Sequence, residues 1–191
     1  VCLEQDVTAK DAPENIVQTC VKAFGGLDIL VNNAGIAIGA QFEETTDEQW
    51  DRILGINVTA IFRISKAAVP HLRTRGGGRI INLGSIMSNT AGPSLAAYGT
   101  TKHAVAGLSK GMAVDLGKYG ITVNAICPGF FPSKMTRATL ETTGELIREW
   151  TPTRRLGGEE DLKGLAVLLA SEASRHITGQ AIAVDGGAGI V

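Results

Sequence analysis

Tyr98 and Lys102 stand four residues apart in the run Tyr98-Gly-Thr-Thr-Lys102. On a helix that spacing puts both side chains on one face. An ammonium beside a phenol favours the phenolate and lowers its pKa. Such a phenol exchanges a proton with a substrate oxygen near neutral pH. Ser85 lies upstream, with twelve residues between it and Tyr98, and its hydroxyl suits holding the same oxygen. On spacing alone a surface Tyr-Lys pair and a serine in a turn explain these residues somewhat better. Asn32-Asn33-Ala34-Gly35 also reads as a turn, since Asn and Gly tolerate unusual backbone angles. Cys2, Cys20 and Cys127 form no Cys-x-x-Cys unit, and His71, His103 and His176 have no metal-ligand spacing. No metal is expected.

These residues need a frame, and the apolar periodicity supplies one. Leu27–Val31, Arg79–Leu83, Ile121–Ile126 and Ala181–Val184 are short apolar runs, as expected of parallel strands covered on both faces. Helical spacing lies between them. Pro13–Phe24 carries Ile16, Val17, Cys20, Val21 and Phe24. Thr46 is placed to cap a helix running from Asp47 to near Arg75. Ala104, Val105, Leu108, Met112 and Leu116 make a stripe behind Tyr98, and Leu162, Leu165, Leu168 and Leu169 make another. Strand-helix alternation of this kind indicates an α/β class fold, a doubly wound parallel sheet. In such sheets ligands sit beyond the C-terminal ends of the strands. Asn32-Asn33, Ser85 and Pro128-Gly129 all follow strands there. Residues 130–150 are the least regular stretch and are expected to form a substrate lid on a single domain spanning 1–191.

Composition narrows the function. The chain has 191 residues, 44% of them hydrophobic, with 24 glycines and a formal charge of -1. That is enough for one sizeable core and argues against disorder or collagen. The absence of a basic excess argues against nucleic acid. The longest uninterrupted apolar stretches are too short to cross a membrane. No leader pattern opens the chain, which points to a cytoplasmic protein.

Taken together, the motifs resemble the short-chain dehydrogenase/reductase family. The matching residues are Asn32-Asn33-Ala34-Gly35, Asn57, Ser85, Tyr98-x-x-x-Lys102, Pro128-Gly129, Ile177-Thr178-Gly179-Gln180 and Val184-Asp185-Gly186-Gly187. They run through essentially the whole chain. The resemblance implies a Rossmann-like fold and hydride transfer between NADP or NAD, with NADP favoured, and a carbonyl or secondary alcohol. It implies Tyr98 as acid and base, Lys102 as its pKa-lowering neighbour and ribose contact, and Ser85 as the substrate-orienting hydroxyl. Asn57 would hold a water relay towards Lys102. Asp6, Val7, Asn33, Ala34, Gly35, Pro128, Gly129, Phe131 and Ser133 would line the cofactor pocket. The stretch Asn124–Thr136 is most similar to 3-oxoacyl-type reductases, so a 3-oxoacyl or small ketone substrate is expected. Sugar, polyol or steroid alcohol dehydrogenation is the alternative, and a non-catalytic binding or structural form is a further one. The resemblance also implies a homotetramer or homodimer joined through the helices at Asp47–Arg75 and Tyr98–Lys118.

One departure is large. The family's opening strand, its Thr-Gly-x-x-x-Gly-x-Gly turn, its first helix and second strand have no counterpart in residues 1–191. The opening residues look like the tail of the third strand, and the next strand is expected to be a bare sheet edge. That turn is what cradles a pyrophosphate, so a partial sequence is expected and the coenzyme preference is not legible.

Overall fold

The computed structural model describes residues 1–191. The elements in chain order are α1 (Ala12–Phe24), β1 (Ile29–Asn32), α2 (Asp47–Leu54), α3 (Ala60–Thr74), β2 (Gly78–Leu83), α4 (Ala96–Leu116), β3 (Ile121–Pro128), α5 (Arg137–Trp150), α6 (Lys163–Ala170) and β4 (Ala181–Val184). The strands form one sheet in the order β1-β2-β3-β4, and every pair is parallel. Each successive strand lies beside the last, joined by a helical crossover, as a parallel sheet demands.

Two-residue alternation divides the sheet into two faces. Leu30, Ile80, Ile121 and Val123 pack with Val17 of α1, Ala60, Ile64, Ala68 and Leu72 of α3, and Ala113 of α4. Ile81 and Ile126 point the other way, onto Leu169 of α6. This second layer stops short of β1, so Ile29 and Val31 remain 41% and 52% exposed. β1 pairs with β2 alone and so forms the sheet edge, as expected.

The N-terminal residues depart from expectation. Residues 1–6 carry no strand; Asp6 and Ala9 close a turn, with the Ala9 N–H donating to the Asp6 carbonyl. A strand needs a ladder partner to satisfy its backbone, and β1 and α1 leave none beside this segment. Cys2, in this segment, is exposed, whereas Cys127 is buried.

Thr46 caps α2 as its position predicts. Its hydroxyl accepts from the Gln49 N–H, while the Gln49 side chain accepts from the Thr46 N–H. The helix then widens at Gly55–Thr59 into a π turn, where the Ala60 N–H reaches back to the Gly55 carbonyl. It continues as α3, giving a 28-residue rod over Asp47–Thr74. By length and composition this rod is long enough to cross a bilayer, a reach that the short apolar runs do not foretell. Its Ile53, Ala60, Ile61, Ile64, Ala68 and Leu72 are buried in the core instead.

Candidate active site

Three strand exits and one helix start converge at the C-terminal edge of the sheet. Ser85 follows β2 through Gly84. A side chain on Gly84 would fall 2.7 Å from the Cys127 Sγ and 2.9 Å from the Ser88 Oγ, so glycine is required for the chain to leave the sheet there. The Ser85 hydroxyl accepts from the Met87 N–H, and the Ser88 hydroxyl accepts from the Ser85 N–H. This capped turn fixes Ser85, which is 8% exposed. Tyr98 and Lys102 sit in the opening turns of α4.

Lys102 is held firmly. Its Nζ donates to the Leu83 carbonyl at 2.8 Å and lies 5.6 Å from the centre of the Tyr98 ring. Burial brings its pKa down to about 8, with Cys127 acting in the opposite direction. Tyr98 moves against expectation. Burial raises its pKa, and the Ser85 hydroxyl pulls the other way without cancelling it. Burial makes the phenolate costly, and the Lys102 ammonium donates one of its N–H groups to the Leu83 carbonyl.

Asn57 occupies the π turn and is 1% exposed. Its Oδ1 accepts from the Ile36 N–H at 2.9 Å, and its Nδ2 donates to the Ile36 carbonyl at 2.9 Å. This reciprocal pair fixes the orientation of the amide and ties the Asn33–Ile36 loop to the π turn. Gly35 completes the arrangement. A side chain there would lie 3.4 Å from the Asn57 Oδ1 and 3.8 Å from the Lys102 Nζ.

A cleft of about 510 Å³ opens over these groups. Asn33, Ala34, Gly35, Tyr98, Lys102, Pro128, Gly129, Phe131 and Ser133 all line it, as the sequence implies. Asn57 is buried behind its wall, whereas Ser85, next to the lining Gly84, keeps a small exposed area. Val7 lies apart, in a neighbouring apolar cavity of about 130 Å³ that shares Asn33 and Ala34 with the main cleft. Asp6 lines neither cavity. Its carboxylate accepts from the Thr8 N–H and hydroxyl, both at 2.8 Å, and these bonds hold its pKa down. Ser133 lines the cleft, but its hydroxyl also pairs with the Thr136 hydroxyl at 3.0 Å.

Lys134, Thr136 and Leu162 line the same cleft and were not singled out by sequence. The signal for Leu162 was its place at the head of the α6 stripe. Lys134 carried none, since a lysine in an irregular segment reads as solvated. The segment beyond Phe131 is anchored from behind. The Gly157 N–H donates to the Phe130 carbonyl at 2.9 Å, and a side chain on Gly157 would collide with the Phe131 ring. Arg155 and Asp161 form a two-pronged ion pair beside it.

Comparison with known proteins agrees with this geometry. A family model described as Enoyl-(Acyl carrier protein) reductase matches residues 1–189. The gluconate 5-dehydrogenase of Gluconobacter oxydans (strain 621H) is 41% identical over 186 residues, which cover 95% of this chain and 72% of that protein. The 3-oxoacyl-(acyl-carrier-protein) reductase of Staphylococcus aureus (strain Mu50 / ATCC 700699) is 36% identical, covering 97% of this chain and 75% of its own. Among solved structures, a gluconate 5-dehydrogenase from Burkholderia cenocepacia J2315 in complex with NADP and tartrate superposes with a TM-score of 0.92. It is 35% identical, over 96% of this chain and 73% of that one. With its parallel sheet, its Ser85, Tyr98 and Lys102 at one strand edge and relatives at this identity, the chain belongs to the short-chain dehydrogenase/reductase family of NAD(P)-dependent oxidoreductases.

Proposed function

We propose that this site moves a hydride reversibly between a nicotinamide dinucleotide and a secondary alcohol or ketone, and that the substrate is a small hydroxylated acid of the gluconate kind. The observation that carries the substrate class is Lys134. It lines the cleft that holds Tyr98 and Lys102, and none of the chain's ion pairs involves it or the nearby Arg137. An unpaired cation over a polar reaction centre favours a carboxylate-bearing substrate. The 41% identity to a gluconate 5-dehydrogenase supports the same class, which displaces the 3-oxoacyl substrate as the leading reading.

The residues present fit the nicotinamide and ribose half of the cofactor. Gly35 leaves open the space between Asn57 and Lys102 that a side chain would fill. Lys102 has three N–H donors and spends one on Leu83, which leaves two for ribose hydroxyls. Asn33, Ala34 and Val7 border the adjoining apolar cavity, which suits a flat base. When bound, the dinucleotide supplies or accepts the hydride at its nicotinamide ring. NADP is favoured over NAD only through the relatives.

The protein's part follows from its own groups. In the reductive direction Ser85 donates a hydrogen bond to the substrate carbonyl oxygen and orients it. Negative charge develops on that oxygen, and Tyr98 transfers its phenolic proton to it. Lys102, which is mostly protonated at pH 7 with a pKa of about 8, stabilises the tyrosinate that remains. Asn57 positions the polar wall behind Lys102. Residues 130–150, including α5, close over the cleft as a lid and exclude water. Oxidation runs the same steps backwards, with Tyr98 as base.

Reduction of a 3-oxoacyl thioester is the second reading. Phe131, Met135 and Leu162 give the same cleft an apolar side, which an acyl chain would use. The test compares NADP-dependent oxidation of gluconate, and reduction of its 5-keto acid, with reduction of a 3-oxobutanoyl thioester. The proposal expects the acid pair to turn over more efficiently and Lys134→Ala to raise its KM about tenfold, as for the loss of a charge-assisted contact. Faster turnover of the thioester, with Lys134→Ala neutral, contradicts the substrate class.

A further inference from the structure

We infer that Thr101 is a positioning residue whose hydroxyl clamps Asn57 to α4, and so sets the spacing between Asn57 and the Tyr98–Lys102 pair. The inference rests on the functional reading above for its consequence, but on geometry for its existence. Thr101 is fully buried. Its hydroxyl donates to the Tyr98 carbonyl at 2.7 Å, a back-bond that a threonine in a helix makes readily. The hydroxyl proton is thereby committed, so the oxygen can only accept from elsewhere. It accepts from the Asn57 Nδ2 at 3.0 Å.

The other donor of that amide goes to Ile36. Asn57 is thus pinned on one side to the loop after β1 and on the other to the helix that carries Tyr98 and Lys102. The π turn presents the amide to both at once. Asn57 Oδ1 and Lys102 Nζ both lie within 4 Å of the place a side chain on Gly35 would take. A small shift of either one therefore changes the shape of this corner of the cleft. Removing the Thr101 hydroxyl leaves a buried N–H of Asn57 without a partner, which a buried amide does not tolerate. The amide must then turn or move.

The same helix supplies a matched control. Ser109 is equally buried. It donates back to the Val105 carbonyl at 2.8 Å and accepts from the Asn82 Nδ2 at 2.9 Å. The bonding pattern repeats two turns along, but Asn82 lies in β2, and unlike Asn57 it is not among the groups within 4 Å of the Gly35 position beside Lys102. A hydroxyl whose role is only to satisfy a buried amide should behave alike at both positions.

The experiment compares Thr101→Val, Thr101→Ser, Thr101→Ala and Ser109→Ala with the parent chain. Two quantities are read: hydrogen exchange of the Asn57 side-chain amide by NMR, and kcat, KM and the pH profile of alcohol oxidation. In Thr101→Val the Asn57 amide is expected to exchange at least about tenfold faster, as the loss of one hydrogen bond implies. Its kcat falls about 10- to 100-fold and its pH profile moves, the size expected of a misplaced active-site group. Thr101→Ser restores both quantities. Ser109→Ala lowers stability and leaves the pH profile in place. If Thr101→Val does not fold, Thr101→Ala takes its place. The inference is overturned if the valine variant keeps Asn57 protection and the parental pH profile, or if Ser109→Ala moves that profile equally. Absence of turnover in the parent chain would sink the functional reading alone, because Asn57 exchange still decides the clamp.

Discussion

At the residue scale the site depends on two groups whose charged forms are both made costly by burial. Tyr98 resists losing its proton and Lys102 resists keeping its own. The first makes Tyr98 a proton donor that is loaded at neutral pH. Tyr98→Phe is therefore expected to lower turnover by about 10²- to 10⁴-fold, the range for loss of a general acid. Dinucleotide affinity should change little, which a fluorescence titration of the same variant checks. The second group has a thermodynamic signature. Between about pH 8, where folded Lys102 loses its proton, and its ordinary value of 10.5, the unfolded chain holds one more proton at this residue than the folded chain. Stability from this group therefore rises with pH across that window and is lowest below it. Urea unfolding of the parent and of Lys102→Met at pH 7 and at pH 9.5 should show a slope in the parent that the variant lacks. An unchanged slope would mean that Lys102 is not the titrating group. The spacing of Tyr98 and Lys102 was legible in the sequence because helix geometry fixes it. The direction of the Tyr98 shift was not, because the balance between burial and a neighbouring ammonium depends on where Lys102 Nζ points.

At the element scale the strands and helices were legible wherever a local rule acts alone. Thr46 and Gln49 form the capping box that starts α2, and Thr46→Ala should cost about 1 kcal/mol by chemical denaturation. The two apolar layers follow from alternation along β2 and β3. Two features escaped the pattern. The π turn at Gly55–Thr59 leaves the apolar spacing of the rod nearly intact, so no periodicity marks it. Residues 1–6 looked like a strand, but a strand is settled by a partner rather than by its own residues. The contact that holds the segment at Phe130–Phe131 was equally hidden, because Gly157 meets Phe131 only in three dimensions. Gly157→Ala should displace the Phe131 ring from the cleft wall and cost about 1–3 kcal/mol as an overpacking change. It should raise substrate KM more than it alters dinucleotide affinity, which steady-state kinetics of the variant would reveal.

At the scale of the whole molecule, the parallel strands bring Asn33–Gly35, Leu83–Gly84 and Pro128–Gly129 to the cleft that Tyr98 and Lys102 also line, while Asp6 stays outside it. Phe62 of α3 and Val114 of α4 remain 49% and 81% exposed, and we propose that these helices meet a second copy of the chain. Val114→Glu should then reduce the mass measured by light scattering, with circular dichroism unchanged. The Tyr98 cleft is proposed to perform nicotinamide-dependent chemistry on a hydroxylated acid. The most direct test follows the absorbance of NADPH while the chain is given the 5-keto acid of gluconate, beside Tyr98→Phe at matched concentration. Saturable, substrate-dependent NADPH consumption that Tyr98→Phe abolishes is the predicted result. NADPH that binds the cleft but is not consumed with this acid, or is consumed equally by Tyr98→Phe, would contradict it.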